Sequence, residues 1–424
     1  MTKPFSQSPV WHPFTQHALE CEMPQIARAQ GAWLTTGDGR RIFDGISSWW
    51  VITHGHCHPD IVAAIQKQAA TLDQVIFAGF THEPAGRVAR DLLTFTPSNL
   101  AHVFFSDSGS TAVEVALKMA LGHWRNVGAA KRTRILALEH AYHGDTIGTM
   151  SAGARGVFNA AYEPLLFEVG RIPFPHPGAE QATLDALDAQ CRTGTVAALI
   201  VEPLICGAGG MLIYSEATLA AMAQTCAKHD VLLIADEVMT GFGRTGAMFA
   251  CEGSGVTPDI LCVAKGLTGG SIPLAATLCT RAIYQSHYSR DRTKTFFHSS
   301  SYTANPIACA AAAANLKIWR DGRVQERIAA LSDTHGALLK TLRVESRLVN
   351  VRQIGTIAAA DLAVRDAGYL ANAGLTMRKA FLHRGVLLRP LGSTIYIMPP
   401  YCTTQAELTD VYAAIASVVR EVMP

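Results

Sequence analysis

Short apolar runs recur along the chain and are separated by segments with helical periodicity. Four of them, residues 135–138, 197–201, 231–235 and 260–263, are continuous rather than alternating, so both faces of each segment are apolar. Such runs are typical of parallel strands buried between two layers of helices. We therefore predict an α/β fold in which a mostly parallel sheet is flanked by helices.

The remaining pattern predicts helices and strands on either side of this series. Two short strands are predicted within residues 33–44, with a turn at residues 37–39, and another strand at residues 102–106. The predicted helices span residues 60–72, residues 111–124 with Ser108 or Ser110 as N-cap, and residues 305–316.

The pattern changes after residue 321. It predicts a long helix, strands near residues 349–362, a helix at 374–384 and a strand pair around residues 387–397. We interpret this part of the chain as a second, smaller α+β unit.

Composition narrows the class of protein. The chain has 424 residues, 49% of them apolar, and a net charge of +2 without a charged tail, so a disordered chain is excluded and nucleic acid is not an expected partner. No apolar stretch reaches the roughly 20 residues of a bilayer span, and the N-terminus lacks a signal-peptide pattern. A cytoplasmic location without a membrane partner is the resulting expectation. Ten cysteines without a C-x-x-C pair predict reduced, mostly buried thiols.

Two polar residues follow predicted buried strands directly. Asp236 directly follows the third apolar run, and Lys265 comes just after the fourth. Open α/β sheets bind ligands at the carboxyl ends of their strands. Burial would lower the pKa of the Lys265 amine and make it a nucleophile, and Asp236 would suit a protonated ring nitrogen of a cofactor. The alternatives are an ion pair between Asp236 and Arg244 and a lysine whose amine reaches solvent.

A third candidate is the segment Ser108-Gly109-Ser110, which precedes a predicted helix. A helix N-terminus presents free N–H groups and the positive end of the helix dipole to an anion. Taken alone, this segment is a common helix cap. Beside a reactive lysine and an acid for a ring nitrogen, it becomes a candidate phosphate site.

Two other motifs suggest different chemistry. Residues 241–246 match G-x-G-x-x-G nominally, but the following residues do not predict the long helix that a dinucleotide-binding motif opens. His54, His56 and His58 alternate and suggest a metal site, but no Asp, Glu or Cys pair stands at ligand spacing. We therefore predict no metal site and retain the three histidines as a weaker alternative.

An ordered series of motifs resembles the class III aminotransferases, which are fold-type I enzymes that use pyridoxal 5′-phosphate (PLP). The motifs are GDGRRIFDG, FFSDSGSTAVEVALKMA, HAYHGDTIGTMS, IVEPLICGAGGM, IADEVMTGFGRTG, ILCVAKGLTGG and SYTANPIACAAA, and they cover nearly the whole chain. The resemblance implies a large PLP-binding domain, residues 56–320, and a small domain formed by residues 1–55 and 321–424. It also implies a homodimer with shared active sites.

The same resemblance implies roles for the candidate residues. Lys265 would bind PLP covalently and transfer the proton, Asp236 would keep the ring nitrogen protonated, and Tyr142 would stack on the ring. The phosphate-binding residues that it implies are Gly109 and Ser110, with Ser300 and Ser301 supplied by a second copy of the chain.

Finer motifs, WHPFTQ, DGISSWW, HAYHGDT and RPLGSTIYIMPPY, resemble the class members of biotin synthesis. Those enzymes transfer an amino group from S-adenosylmethionine to 8-amino-7-oxononanoate, giving 7,8-diaminononanoate. The resemblance implies that Arg389 receives the acceptor carboxylate and that Trp49 and Trp50 line its aliphatic chain. The further substrate-binding residues that it implies are Phe14, Tyr142, Asp145, Lys265 and Ser299.

Several alternatives stay open at this point. Phe14 stands where the best-known enzymes of biotin synthesis have Tyr, and lysine is therefore an alternative donor. A broad ω-amine or ω-amino acid transaminase is the alternative within the class. Outside it, the alternatives are a metal hydrolase that uses the three histidines and a non-catalytic dimeric protein with the same fold.

Overall fold

The computed structural model of the protein describes residues 9–19, 23–321, 323–364 and 372–423. Its strands are β1 Ile26–Gln30, β2 Trp33–Thr36, β3 Arg41–Asp44, β4 Leu100–Ser106, β5 Arg134–Leu138, β6 Gly170–Ile172, β7 Val196–Val201, β8 Ile205–Cys206, β9 Leu212–Ile213, β10 Leu232–Asp236, β11 Ile260–Val263, β12 Ala275–Thr280, β13 Leu348–Ile354, β14 Ile357–Leu362, β15 Val386–Leu387 and β16 Thr394–Ile397.

The helical segments alternate with these strands over most of the chain. They are α1 Ser47–Trp50, which is a left-handed turn, α2 Pro59–Ala69, α3 Glu83–Leu93, α4 Gly109–Asn126, α5 Ile147–Ala152, α6 Glu180–Cys191, α7 Glu216–Lys228, α8 Ala250–Gly253, α9 Arg281–His287, α10 Pro306–Arg320, α11 Arg323–Arg343, α12 Asn372–His383 and α13 Gln405–Val422. Short 3₁₀ turns lie at His17–Leu19, Ala160–Leu165, Lys265–Thr268 and Arg292–Lys294.

Seven strands form the central sheet, in the order β4-β12-β11-β10-β7-β5-β6. Strands β11, β10, β7, β5 and β6 pair in parallel, whereas β12 is antiparallel to both of its neighbours. Every residue of β7, β10 and β11 is buried, which explains their continuous apolar sequences. The predicted α/β class with a mostly parallel sheet is confirmed.

Strand β12 was not predicted from the sequence. Its residues are AATLCT, so small and polar side chains interrupt the apolar run. The position of Thr277 explains how such a sequence is buried, because its hydroxyl donates a hydrogen bond of 2.8 Å to the carbonyl oxygen of Ala112 in α4. A satisfied hydroxyl of this kind is compatible with a core strand.

The predicted hairpin at residues 33–44 is confirmed, and β2 and β3 belong to a sheet ordered β1-β2-β3-β15. The predicted strand pair around residues 387–397 is wrong. Its first strand, β15, pairs in parallel with β3, whereas β16 pairs with β14 in another sheet. Pro390 lacks an N–H group and Gly392 adopts a φ of 62°, so the chain turns between the two strands and does not form a hairpin.

Side-chain caps fix the residues at which helices α4 and α10 begin. Ser108 is the N-cap of α4, since its hydroxyl accepts the N–H group of Thr111 at 3.2 Å, and Ser110 already lies in the helix. The predicted cap of α10 is also confirmed, because Asn305 accepts the N–H group of Ala308 at 3.0 Å. Both helices therefore begin where the sequence places a capping side chain.

The division into domains at residues 55 and 320 stays a prediction, although β15 joins the N-terminal strands to the C-terminal part of the chain. Within the described ranges, no helix is both long and apolar enough to cross a bilayer. Of the nine cysteines that the structure describes, seven are buried, Cys402 is partly buried and Cys57 is exposed, and all are free thiols.

Candidate active site

A cavity of about 370 Å³ opens at the carboxyl edge of the central sheet. It is bounded by the ends of strands β4, β7, β10 and β11 and by the loop after β5. The polar and ionisable side chains that line it are those of Asp107, Ser108, Ser110, Tyr142, His143, Glu202, Asp236, Lys265 and Ser271. The structure thus brings together residues that lie more than 150 positions apart in the sequence, at the edge where α/β sheets bind ligands.

Asp236, the last residue of β10, is buried and paired with a histidine. Its Oδ2 lies 2.7 Å from Nδ1 of His143, and its Oδ1 accepts the N–H group of Val238 at 3.2 Å. The alternative ion pair with Arg244 is not formed, because that guanidinium donates to the backbone carbonyls of Trp50, Ile52 and Pro399. Sequence reasoning missed His143, although its place in HAYHG beside Tyr142 could have indicated it.

Lys265 begins a 3₁₀ turn directly after β11 and its Nζ lies 4.6 Å from the centroid of the Trp50 ring. Burial lowers the pKa of its amine to about 8, against the opposing effects of the Asp236 and Glu202 carboxylates. Roughly a tenth of this amine is therefore unprotonated at pH 7, far more than for an ordinary lysine, and the unprotonated form is the nucleophile. The backbone of Lys265 is in the left-handed region, with a φ of 37°.

The turn that carries Lys265 is fixed from behind by Asn315 of α10. The Asn315 side-chain amide donates to the carbonyl oxygens of Gly266 and Leu267, at 2.9 and 3.0 Å, and its oxygen lies 2.9 Å from His54 Nε2. Burial lowers the pKa of His54 to about 3, so this imidazole is neutral and donates to Asn315. His54 therefore has a structural role.

The remaining histidines do not form a metal site. His56 pairs with Asp44 at 2.8 Å, and the rings of His54 and His58 are 6.0 Å apart in an edge-to-face arrangement. Among the residues that the structure describes, no group of three or more His, Cys, Asp and Glu side chains could hold a metal ion. The G-x-G-x-x-G segment at 241–246 is a turn that leads only to α8, four residues long.

The start of α4 lies at the cavity and is a candidate anion site. Ser108 caps the N–H group of Thr111, whereas the N–H groups of Gly109 and Ser110 have no acceptor within the helix. A Cβ atom at Gly109 would lie 2.6 Å from Cγ1 of Val238, so only glycine fits this position. The Ser110 hydroxyl accepts the N–H group of Asp145 at 3.2 Å and connects the helix to the loop after β5.

Tyr142 lies on that loop and is anchored through its backbone. Its N–H group donates to Oε1 of Glu202 at 2.9 Å, and Oε2 of the same carboxylate accepts the N–H group of Gly207 at 3.0 Å. Burial raises the pKa of Glu202 to about 7 and, together with the neighbouring Asp145, also raises the pKa of Tyr142. Glu202 was not a predicted site residue, and it holds the aromatic ring in place beside the cavity.

A second cavity, of about 320 Å³, shares Trp50, Tyr142 and Lys265 with the first. Its remaining lining residues are Pro13, Phe14, Trp49, Asp145, Phe158, Ala208, Arg389, Leu391 and Tyr396. Its walls are largely aromatic, and it contains one cationic side chain besides the lysine. It therefore suits an aliphatic chain that ends in an anion.

The two tryptophans differ in exposure, although both line this cavity. Trp50 is buried and donates to the Tyr396 hydroxyl at 3.0 Å, whereas Trp49 is 38% exposed. The guanidinium carbon of Arg389 lies 5.1 Å from the centroid of the Trp49 ring, and Arg389 donates to the carbonyl oxygen of Phe14 at 2.7 Å. Phe14 is stacked edge-to-face on Trp49, with ring centroids 5.6 Å apart.

Ser299, Ser300 and Ser301 do not line either cavity of their own chain. The Ser300 hydroxyl donates to Oδ2 of Asp107 at 2.5 Å, just before the cap of α4. These serines therefore lie near the rim of the first cavity but outside it. Phe158 and Tyr396 were also missed, Phe158 because no motif surrounds it and Tyr396 because it lies inside the apolar run of β16.

The first cavity fits a phosphorylated aromatic aldehyde such as PLP. It offers a primary amine of lowered pKa, a carboxylate for a ring nitrogen, an aromatic side chain and a helix N-terminus with uncapped N–H groups. The glycine required at position 109 leaves room for a close approach of an anion to the backbone.

The family model described as aminotransferase class-III matches residues 17–419. The chain belongs to the class III aminotransferases. This family is PLP-dependent, and the cofactor predicted from the sequence is confirmed at the level of the family. The lysine, the carboxylate and the helix N-terminus described above are the groups of this class III chain that fit it.

Individual relatives agree with this placement. The chain is 48% identical to an adenosylmethionine-8-amino-7-oxononanoate aminotransferase of Synechococcus elongatus, over 97% of this chain and 99% of the relative. A solved structure of the enzyme with the same name from Methanocaldococcus jannaschii superimposes with a TM-score of 0.93 at 33% identity, covering 97% of each chain. An amine transaminase from an uncultivated Pseudomonas species, in the PLP-bound form, gives a TM-score of 0.91 at 32% identity and 98% coverage of each chain.

Proposed function

We propose that this chain transfers an amino group from S-adenosylmethionine to 8-amino-7-oxononanoate and forms 7,8-diaminononanoate, a step of biotin synthesis. The observation that carries the proposal is the second cavity, an aromatic channel that begins at Lys265 and contains Arg389. The acceptor is an aliphatic chain with a carboxylate at one end, and this channel matches both features. Relatives named for this reaction match 94% or more of the chain.

Lys265 is the catalytic residue in this proposal. PLP, when bound, supplies a carbonyl carbon and an electron-withdrawing ring. The Nζ atom of Lys265 loses its proton near pH 8 and is then a nucleophile, and once free it accepts and returns a proton within the same cavity. The neighbouring Trp50 ring lies 4.6 Å from Nζ and packs against this amine.

Asp236 and His143 act as a pair in the proposed mechanism. The carboxylate holds a protonated ring nitrogen, and the hydrogen bond from His143 fixes the orientation of the carboxylate. The N–H groups of Gly109 and Ser110 would bind the phosphate, and Tyr142 would contact the ring. Each of these roles keeps one part of the cofactor stationary while the proton moves.

The second cavity positions the two substrates in turn. Arg389 retains N–H donors beyond the one that it gives to Phe14, and these bind the acceptor carboxylate. Trp49 and Trp50 pack against the acceptor chain, and Phe14 stacks on the adenine of the donor. Asp145 lines the second cavity, where its carboxylate can hold the donor amino group.

A homodimer completes the site in this proposal. Ser299, Ser300 and Ser301 lie outside the cavities of their own chain, and two exposed aromatic residues flank them, Phe297 at 71% and Tyr302 at 62% exposure. Exposed aromatic side chains around a polar segment are typical of protein interfaces. We therefore assign these serines to the phosphate and substrate sites of a second copy of the chain.

Two half-reactions test the proposal. The PLP form is mixed separately with S-adenosylmethionine, lysine and an ω-amine, and conversion to the pyridoxamine form is followed by absorbance. The pyridoxamine form is then mixed with 8-amino-7-oxononanoate, and the diamine is identified by mass spectrometry. We expect conversion by S-adenosylmethionine and formation of the diamine. Conversion by lysine alone would replace the donor, and no reaction with the 8-amino-7-oxo acid would overturn the proposed function.

A further inference from the structure

The turn Ser47–Trp50 has an uncommon backbone. Its four residues have φ values of 52°, 45°, 73° and 73°, and none is glycine. The left-handed region is unfavourable for L-residues because Cβ approaches the carbonyl oxygen, so four such residues in succession are rare. Backbone of this kind persists only where its surroundings determine it, and it is concentrated at functional sites. Trp49 and Trp50, at the end of the turn, both line the second cavity.

Asp44 is the side chain that determines the turn. It is completely buried, and its Oδ1 accepts the N–H group of Ser48 at 2.8 Å. Its Oδ2 accepts the Ser48 hydroxyl at 2.7 Å and lies 2.8 Å from Nε2 of His56. One carboxylate thus holds both the backbone and the side chain of the residue next to Trp49, and His56 supplies a further partner for the buried charge.

Asp44 also lies beside the strand that leads to Arg389. It is in register with Leu387 in the β3–β15 pair, and the next residue, Gly45, donates to the Leu387 carbonyl oxygen at 3.1 Å. A Cβ atom at Gly45 would lie 2.7 Å from Cδ2 of Leu388, so the two segments are in close contact. The position of Arg389 is therefore set by the same junction as the turn.

The two elements that meet at Asp44 form adjoining parts of the acceptor site. The turn carries Trp49, β15 leads to Arg389, and the guanidinium carbon lies 5.1 Å from the Trp49 ring centroid. Asp44 itself is not among the residues that line the two cavities. Its influence on a substrate therefore passes through Trp49 and Arg389.

We propose that Asp44, assisted by Ser48 and His56, is the positioning residue that sets the specificity of this site for a long-chain keto acid with a terminal carboxylate. It does so by holding an aromatic wall at a fixed place relative to a cation. The inference rests on the proposed function, because it assigns the second cavity to the acceptor. Asp44 binds no substrate atom, and its removal changes acceptor affinity before it changes chemistry.

Half-reaction kinetics of matched variants test the role. The variants are Asp44→Ala, Asp44→Asn and Ser48→Ala, and the control is Glu407→Gln, a partly buried acid that accepts from Trp33 at 2.6 Å away from both cavities. For Asp44→Ala we expect the KM for the 8-amino-7-oxo acid to rise about tenfold or more, with kcat of the same half-reaction changed by less than about threefold. Asp44→Asn and Ser48→Ala fall between this variant and the control.

Amide hydrogen exchange on the apoenzyme gives a readout that does not depend on any substrate. We expect residues 45–54 to exchange about tenfold faster in Asp44→Ala and to be unchanged in Glu407→Gln. A rise in KM without faster exchange at the turn, or faster exchange without a rise in KM, overturns the proposal. If Asp44→Ala does not fold, the same two comparisons are made with Asp44→Asn and Ser48→Ala.

The outcome is separable from the proposed function. If the wild-type enzyme does not react with the 8-amino-7-oxo acid, the proposed function fails, and the KM comparison is made with whichever keto acid the enzyme accepts. If Asp44→Ala leaves the KM unchanged for every acceptor, short or long, the positioning role is overturned. A KM that rises only for carboxylate-terminated acceptors supports it.

Discussion

The first cavity, which we propose for the cofactor (the cofactor cavity), and the second, which we propose for the acceptor (the acceptor cavity), share Lys265, Trp50 and Tyr142 but are built in different ways. The polar groups of the cofactor cavity follow strands of one sheet, and Asp236 is buried and paired. The acceptor cavity is assembled from separate segments spread between residues 13 and 396, and two of its aromatic residues, Phe14 and Trp49, are 42% and 38% exposed. We conclude that the chemistry is fixed by the sheet, whereas substrate choice depends on contacts between segments at its rim.

The largest expected effect is in the cofactor cavity. Lys265→Ala should abolish turnover, because nucleophilic attack and proton transfer both need its Nζ atom. PLP should still bind noncovalently through the helix N-terminus and Asp236. Borohydride reduction of the holoenzyme and peptide mapping should label Lys265. Lys118→Ala is the matched control variant and should keep its turnover. Labelling of a lysine other than Lys265 would show that the assignment is wrong.

The next largest effect is expected from removing the hydrogen bond between His143 and Asp236. His143→Leu removes the 2.7 Å hydrogen bond to the carboxylate, and we expect PLP to be bound about 1.5 to 3 kcal/mol less tightly, the range for a hydrogen bond to a charged group. The dissociation rate of PLP measures this effect. His143→Gln should recover part of the loss, since its amide can still donate. Equal loss in both variants would indicate that the imidazole itself is required.

Sequence could indicate several parts of the cofactor cavity because they are local patterns. Asp236 and Lys265 follow apolar runs and Ser108 precedes a predicted helix, so strand ends and a helix cap made these residues candidates, whereas Tyr142 came only from the resemblance to a family. His143 and Glu202 were missed because their importance comes from contacts with Asp236 and with the Tyr142 backbone, across 93 and 60 positions of the chain.

The acceptor cavity could be predicted only through the resemblance to a family. No local pattern indicates that Phe14, Trp49 and Arg389 meet, since their contact depends on the parallel pairing of β15 with β3. The prediction of a strand pair around residues 387–397 was also wrong. The edge strand β15 has only two residues, and so short a sequence carries too little pattern to identify its partner.

Arg389→Ala tests the acceptor cavity by itself. We expect acceptor binding to weaken by about 1.5 to 3 kcal/mol, whereas the donor half-reaction should slow much less. Stopped-flow measurement of the two half-reactions distinguishes them, and Arg384→Ala, a cation in the same region that pairs with Glu421, is the control. Equal damage to both half-reactions would mean that Arg389 serves both substrates or the fold.

A smaller effect is expected from pH in the cofactor cavity. The pKa of Lys265 is about 8, so lowering the pH from 8 to 6 protonates the amine and should slow covalent attachment of PLP to the apoenzyme by about tenfold per unit at the lower end. Above pH 8 the rate should level off. Glu202, whose pKa is about 7, titrates in the same range. Glu202→Gln therefore serves as the control. If the midpoint of the pH profile shifts from about pH 8 in this variant, the profile belongs to Glu202.

The smallest expected effect concerns Phe14 and the donor. If the ring at this position stacks on the adenine of S-adenosylmethionine, Phe does so nearly as well as Tyr, because stacking depends on the face of the ring. Phe14→Tyr adds only a hydroxyl, and a neutral hydrogen bond contributes about 0.5 to 1.5 kcal/mol. We therefore expect a severalfold lower Kd for S-adenosylmethionine and no change with an ω-amine that lacks adenine. The opposite result would be that lysine converts the PLP form and that Phe14→Tyr leaves the Kd for S-adenosylmethionine unchanged. It would show that the exposed rim of the acceptor cavity selects a different donor while the cofactor cavity remains the same.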